Sequence, residues 1–407
     1  MRAREFRQGE IVGDRYELVE PVGKGGMAEV WRARDRRSGG PVAVKFLQPA
    51  EELRRQLDTQ ERQEDLRVLH LRFQQETEHL SRFDHPGIPR LHGQGTHRDV
   101  PYLVMELVEG NSLHEFLLLR RPLTLGPGVA IAAQIADALV CAHGQSVVHR
   151  DLKPQNVMLA FSGLVKLVDF GIAKQLGVNA PNYTRFGTTL GSLGYQAPEQ
   201  LRWEPATPRT DVYALGCVCY EMFTGRAPFI ETDNRPLQDQ HLRGEPAPLG
   251  SVSGQVPEDL DDLVLRMLAK APEDRPHMAE VSATLQCHLP CPGAPPPVPR
   301  LHPDPTRPFR DPRGVREERG DAQPYASAVR PAVAGGWLSV RGVEQDCRAA
   351  EAELARGEVG PALLRLAEIA DEARKQWGPA KPLVRSVHRL AVQGRELLDD
   401  HPGQAPD

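Results

Sequence analysis

The chain has 407 residues, 50 Lys and Arg against 55 Asp and Glu, and a formal net charge of −5. That balance offers no broad positive field for nucleic acid or an anionic membrane surface, and the length suggests two to three domains. Six scattered cysteines are too few for a disulfide framework and point to a reducing, cytoplasmic setting.

The start, Met1 to Glu10, is charged throughout and has no apolar core, so it is not a secretory signal. Residues 1–15 read as a lead-in. Short β-type runs follow at Ile11–Val12, Tyr16–Val19, Val30–Ala33, Val42–Phe46 and Tyr102–Glu106. Between two of them lies Gly23-Lys24-Gly25-Gly26-Met27-Ala28-Glu29-Val30. Glycines there let backbone amides approach phosphate oxygens with no Cβ in the way. Taken alone, a plain hairpin turn accounts for the run equally well. A dinucleotide fingerprint is disfavoured, because a strand and not a helix follows.

Lys45, in Val42-Ala43-Val44-Lys45, is costly to bury unpaired among apolar neighbours. Only eight of the 50 basic residues are lysine, so a lysine here calls for a chemical reason. A helix carboxylate would pair it. A long polar helix is predicted from about Ala50 to Phe83, carrying Glu76, with Glu78 as the rival partner. After Leu113 the apolar spacing turns helical, first at Val129, Ile131, Ala132, Ile135 and Leu139. The apolar stretch Val129–Ala142 is too short to span a bilayer and is broken by Gln134 and Asp137.

Next comes His149-Arg150-Asp151-Leu152-Lys153-Pro154-Gln155-Asn156. Asp151 can accept or orient a hydroxyl proton, Lys153 can neutralise developing charge, and Asn156 offers a hard oxygen ligand. Asp169-Phe170-Gly171 adds a charged metal ligand, and Ala197-Pro198-Glu199 carries a carboxylate for which Arg275 is the expected buried partner. Cys217 and Cys219 are two apart on an apolar helix and belong to its packing. Cys287-His288-Leu289-Pro290-Cys291 has too few ligands for a metal site.

From Pro290 the prolines crowd together, and sequence poor in large apolar residues continues to about Pro331. Residues 290–335 are predicted to be a disordered spacer that cannot bury enough surface to fold. Residues 343–399 resume helical spacing, at Val343, Cys347, Ala350 and Leu354, then Leu363, Leu366, Ala370 and Trp377, then Val384, Val387, Ala391 and Leu398. A three-helix unit within 336–407 is expected, and it resembles a single tetratricopeptide-type repeat.

Five motifs in this order match the protein-kinase signature set. The chain from 16 to 289 therefore resembles a eukaryotic-type (Hanks-type) Ser/Thr protein kinase, and its wording is most similar to the bacterial members. The resemblance implies an α+β bilobal fold, with a small antiparallel β-rich N-lobe, a larger helical C-lobe and the small all-α unit beyond. It implies ATP and Mg²⁺ as cofactors, with Mn²⁺ as an alternative ion. Val22, Gly23, Lys24, Gly25, Gly26, Met27 and Ala28 would cover the nucleotide. Val30, Ala43 and Met158 would sandwich the adenine, with Met105 as gatekeeper and Glu106 to Val108 as the hinge. Lys45 paired with Glu76 would hold phosphates, Asn156 and Asp169 the metal, and Asp151 and Lys153 the chemistry. Leu80, His149 and Phe170 would stack as an internal column, and Asp211 would cap the catalytic loop's backbone.

Two departures stand out. Ala28 replaces the third glycine, and about a dozen extra residues precede Glu76. Residues 49–69 read as a helical insertion, either a solvated helix or a contact surface for a partner. The implied partners are protein serines and threonines, a protein at the C-terminal helices, and a transient second copy for autophosphorylation in trans. Neither nucleic acid nor membrane is among them. The phosphate acceptors would be Thr188 or Thr189, with Thr184 further out. The rival reading is a pseudokinase scaffold docking through its C-terminal helices; none of Lys45, Asp151, Asn156 or Asp169 is lost, as that reading would require.

Overall fold

Alternation along Ala28–Asp35 places Glu29, Trp31, Ala33 and Asp35 inside, which is the period-two signature of a half-buried strand. This strand, β3, lies in a six-stranded antiparallel sheet with β1 (Ile11–Val12), β2 (Tyr16–Lys24), β4 (Pro41–Leu47), β5 (Leu91–His97) and β6 (Val100–Glu106), in the order β1-β2-β3-β4-β6-β5. The computed structural model describes residues 6–24, 28–47, 77, 81, 83–98, 100–170, 190–231, 235–254, 256–298, 300–312, 340–356 and single or paired positions from 359 to 390. The sheet's core holds Val12, Tyr16, Leu18, Trp31, Val44, Phe46 and Val104, and it also holds Phe6, whose ring stacks on Phe46 with centroids 3.8 Å apart. The lead-in thus extends the lobe's core upstream of residue 16.

The helical part is built on α2 (Leu125–Gly144) and α4 (Pro208–Thr224). They approach closely at Gly128, where a Cβ would stand 2.4 Å from the Phe223 ring. α2 runs for 20 residues and is long and apolar enough to cross a bilayer, which corrects the shorter span read from Val129–Ala142. Two-thirds of its apolar window is buried inside the fold, so its composition reflects a core helix. The start of α4 is set by Thr207, which accepts the Arg209 N–H, and by Pro208 at the first helical position; Gly225 at φ 74° ends it. Around these lie α3 (Pro198–Leu201), α5 (Leu237–Arg243), α6 (Leu249–Val252), α7 (Glu258–Met267) and α8 (Met278–Gln286), while α1 (Leu113–Arg120) precedes α2.

A second, three-stranded sheet orders β7 (Gly110–Ser112), β8 (Val157–Ala160) and β9 (Val165–Leu167), with Ser112 opposite Met158 and Val157 opposite Leu167. The predicted helix over 50–83 lies almost wholly outside the described residues. Thr77 is helical and buried there, and Phe83 is buried outside any helix.

The proline-rich stretch departs from the expected spacer. Residues 300–312 fold, with α9 (Arg307–Arg310) inside them. Pro303, Pro305 and Thr306 are buried. Asp304 accepts from the Thr306 N–H at 2.9 Å and from the Thr306 hydroxyl at 2.6 Å, and Arg310 Nε donates to Thr306 Oγ1 at 2.8 Å. Polar side chains satisfying one another, together with proline's fixed φ, replace the large apolar residues the sequence lacks. Residues 313–335 lie outside the description.

The chain divides into two compact units, residues 1–113 with 122–328, and His114–Arg121 with residues 329–407. In the second, α10 (Val340–Ala355) contributes Val343, Cys347, Ala350 and Leu354 to a core completed by Ala362, Leu366, Ile369, Val387 and Leu390. Leu363 is also buried. Ala370, Trp377, Val384, Ala391 and Leu398 lie outside the described residues.

Candidate active site

β4 pairs with β3 on one side and β6 on the other, which sets Lys45 opposite Val30 and Leu103. Lys45 is buried, and its ammonium lies 2.5 Å from Asp169 Oδ1. The cost of burying a lysine is therefore offset by a carboxylate from beyond β9. Glu76 and Glu78, the expected helix partners, lie outside the described residues, as does Leu80.

Asp151 is held by two neighbouring side chains. Lys153 Nζ donates to its Oδ2 at 2.9 Å, and Asn156 Nδ2 reaches the same oxygen at 3.2 Å and the Asp151 carbonyl at 2.8 Å. With its amide hydrogens turned to Asp151, Asn156 keeps its side-chain oxygen as a ligand atom. The Val168 N–H bonds the Asn156 carbonyl at 3.0 Å, bringing Asn156 and Asp169 to neighbouring positions. An amide oxygen and an ionised carboxylate form a hard donor set, which suits Mg²⁺ or Mn²⁺.

The backbone of this loop hangs on Asp211. Its fully buried carboxylate accepts the His149 N–H at 2.8 Å and the Arg150 N–H at 2.9 Å, and it faces His143 Nε2 at 2.8 Å. Arg150 sits at φ 65° and Asp169 at φ 59°. Left-handed backbone at two non-glycine residues stores strain on either side of the site, and bonds such as those to Asp211 hold it. His149 is wholly buried. Burial lowers its pKa and keeps the ring neutral, with Nε2 3.1 Å from the Val168 carbonyl. Its ring lies 4.7 Å from that of Phe170, which in turn lies 5.9 Å from Phe83.

Above the loop, Val30, Ala43 and Met105 fall on adjacent strands, with Ala43 opposite Met105; Met158 faces Ser112 on β7. Ile88, Leu91, Leu103, Met105 and Phe170 line a recess beside the Lys45–Asp169 pair. At the end of β6, Glu106 pairs with Lys166 at 2.7 Å and accepts the Arg90 N–H at 3.2 Å; Val108 follows in the connection to β7. Val22 and Gly23 lie on β2 and Ala28 on β3. Gly25, Gly26, Met27 and the Lys24 side chain are outside the described residues, as are Thr184, Thr188 and Thr189.

Beneath the site, Arg275 grips Glu199 with two 2.8 Å bonds, both side chains being essentially inaccessible. Burial works to raise the Glu199 pKa, but the Arg275 guanidinium and the Thr210 hydroxyl hold it below the usual carboxylate range. Arg275 also donates to the Ala269, Arg209 and Lys270 carbonyls. His288 pairs with Asp259 at 2.7 Å, and Cys287 and Cys291 are free thiols.

The sequence reading did not assign His143, Phe83, Lys166 or Gln200, whose amide bridges the Ala197 N–H and the Arg150 carbonyl. Lys166 was discoverable, because it is one of only eight lysines. The others carry no local signal, since the partners that tie them to the site, Asp211 for His143, Phe170 for Phe83 and Arg150 for Gln200, lie 68, 87 and 50 residues away in sequence.

The profile of the protein kinase domain family matches residues 16–285. The serine/threonine-protein kinase PknB of Mycolicibacterium smegmatis is 37% identical over 268 residues, which is 65% of this chain and 41% of that protein. The PknB of Mycobacterium tuberculosis strain H37Rv is 35% identical over 302 residues, covering 73% of this chain and 46% of its own length. The chain thus spans less than half the length of these curated relatives. Among solved structures, Rad53 1–466 in complex with AMP-PNP superposes with a TM-score of 0.53 at 28% identity, covering 66% of this chain and 64% of that one.

Proposed function

The chain belongs to the protein kinase domain family, and from that premise we propose that it transfers the γ-phosphoryl group of ATP to serine and threonine hydroxyls of proteins. The observation that carries this reading is the convergence of Lys153 and Asn156 on the Asp151 carboxylate, with Asn156 joined through the Val168 N–H to the strand end that leads to the Lys45–Asp169 pair. A hydroxyl brought to Asp151 finds an acceptor for its proton whose orientation is already fixed. Lys153, two residues on, supplies positive charge where the transferred group gathers negative charge, a feature of the Ser/Thr members. Lys45 presents its ammonium to the α and β phosphates. Bound through Asn156 and Asp169, Mg²⁺ supplies charge neutralisation on the phosphates. The AMP-PNP held by the Rad53 neighbour supports a nucleotide in this cleft.

The reading includes regulation. Thr188 or Thr189 accepts phosphate from a second copy, and Arg150, next to Asp151, receives the new negative charge. The deciding experiment incubates the purified full chain with Mg-ATP and a generic basic protein, then maps phosphosites. Asp151→Asn, Lys45→Met and Asp169→Ala should each cost about 10²-fold or more in rate while leaving the fold intact. The same mapping should find phosphate at Thr188 or Thr189 in active protein alone. Near wild-type transfer by Asp169→Ala would overturn the metal assignment, and an inactive wild type would overturn the reading.

A further inference from the structure

Residues 300–312 close on the turn between β8 and β9. The His302 ring stacks on Phe161, centroids 5.4 Å apart and planes 6° apart. Gly163, at φ 90°, lies so close to this segment that a Cβ would stand 2.3 Å from the Asp304 carbonyl oxygen. Gln134 of α2 joins the parts: its Oε1 accepts the Val165 N–H at 2.9 Å, and its Nε2 faces the Pro305 carbonyl at 3.2 Å and that of Gly163 at 3.4 Å. The segment is itself closed, because Arg310 pairs with Asp304, and its carbonyl accepts the Gly293 N–H at 2.8 Å.

The hairpin gripped in this way is the floor of the cleft. Asn156 directly precedes β8, Asp169 follows β9 by two residues, and Met158 lies on β8. At the turn, the Phe161 N–H bonds the Glu109 carbonyl at 3.1 Å, and β7 pairs with β8 from Gly110. The gripped turn is therefore tied to the connection leading from Glu106. Asp151 and Lys153 lie upstream of the hairpin, anchored by Asp211 and Asn156 instead.

We propose that residues 300–312 are an intramolecular brace for the β8–β9 hairpin that positions the nucleotide-binding floor, and that the catalytic unit accordingly extends to Pro312. Gln134, Asp304 and Thr306 are positioning residues of that brace. The proposal rests on the kinase reading for its kinetic consequence but not for its structural one. Because the brace meets the hairpin at its β8–β9 turn, the end away from Asn156 and Asp151, its release raises the KM for Mg-ATP and leaves kcat within about twofold.

The test uses the full chain in two variants. One is the double substitution Asp304→Ala and Arg310→Ala; the other replaces residues 300–312 by a Gly/Ser segment of equal length, so that the second unit stays attached. Amide hydrogen exchange over residues 157–167 is read beside steady-state kinetics. Exchange in the hairpin should speed up at least tenfold, and KM for Mg-ATP should rise at least threefold with kcat within twofold. Unchanged exchange in the hairpin overturns the brace, as does faster exchange with an unchanged KM. If the replacement variant fails to fold, the double substitution decides alone. A wild-type chain without transfer activity defeats the kinase reading separately, and the exchange measurement still decides whether the hairpin is held.

Discussion

Two buried histidines give the protein a defined sensitivity to acid. His149 carries a lowered pKa because it is wholly buried; His241 is pushed down to about 3 by burial and by Lys270 nearby, while its Nδ1 meets the Tyr213 hydroxyl at 2.9 Å. An unfolded histidine titrates near 6.5. Below that pH the unfolded chain takes up protons the native state refuses, so stability falls as pH drops from about 6.5 towards the folded value. His241 should forfeit about 1.4 kcal/mol by pH 5.5, and His149 adds to the loss in the same direction. Melting curves between pH 7.5 and 5.5 check this: His241→Asn should lose less stability over that interval than the wild type, by about that amount, and equal losses would refute it. The Glu199–Arg275 pair belongs to the same scale. It was legible from sequence because both residues sit in motifs. The pairing of Asp169 with Lys45 was not, since the sequence pointed to a helix carboxylate for that role.

Elements were legible where β-branched and aromatic side chains gather and hidden where side chains are missing. β3 and β4 announce themselves through Val30, Trp31, Val42 and Val44. β5, Leu-His-Gly-Gln-Gly-Thr-His, has no β-branched run. Its Gly93 and Gly95 leave room for the rings of Tyr16 and Tyr102, and a Cβ at Gly95 would stand 2.6 Å from the Tyr102 hydroxyl. Tertiary packing overrides propensity there. The folded stretch 300–312 was hidden for the opposite reason, because its prolines imitate the composition of a spacer. β7 offers a test at this scale. A Cβ at Gly110 would fall 2.0 Å from the Leu159 carbonyl oxygen, a backbone atom that cannot swing aside. Gly110→Ala should pry β7 from β8, cost about 1–3 kcal/mol, and raise the KM for ATP severalfold. Thermal melting and ATP titration would show both effects, and a variant with wild-type values would mean that the strands separate freely.

At the scale of the whole chain, the family match stops at 16 and 285, whereas the folded unit begins by Phe6 and continues through Pro312. Pattern and motif therefore located the cleft well but drew its borders too tightly at both ends. The six-stranded sheet carries one more consequence. β4 ends at Leu47 and β5 begins at Leu91, so residues 48–90 are spanned before the sheet is completed. Chain entropy lost on closing a long loop grows only with the logarithm of its length. As a solvated connection, the dozen extra residues ahead of Glu76 would cost the fold about 0.3 kcal/mol, an amount a single surface substitution can match. Insertions in this connection are close to invisible to thermodynamic selection, which leaves it free to acquire new sequence. A chain lacking Glu51 to Arg62 should melt within about 2 °C of the full protein; a larger drop in calorimetry would show that the added residues have become part of the core.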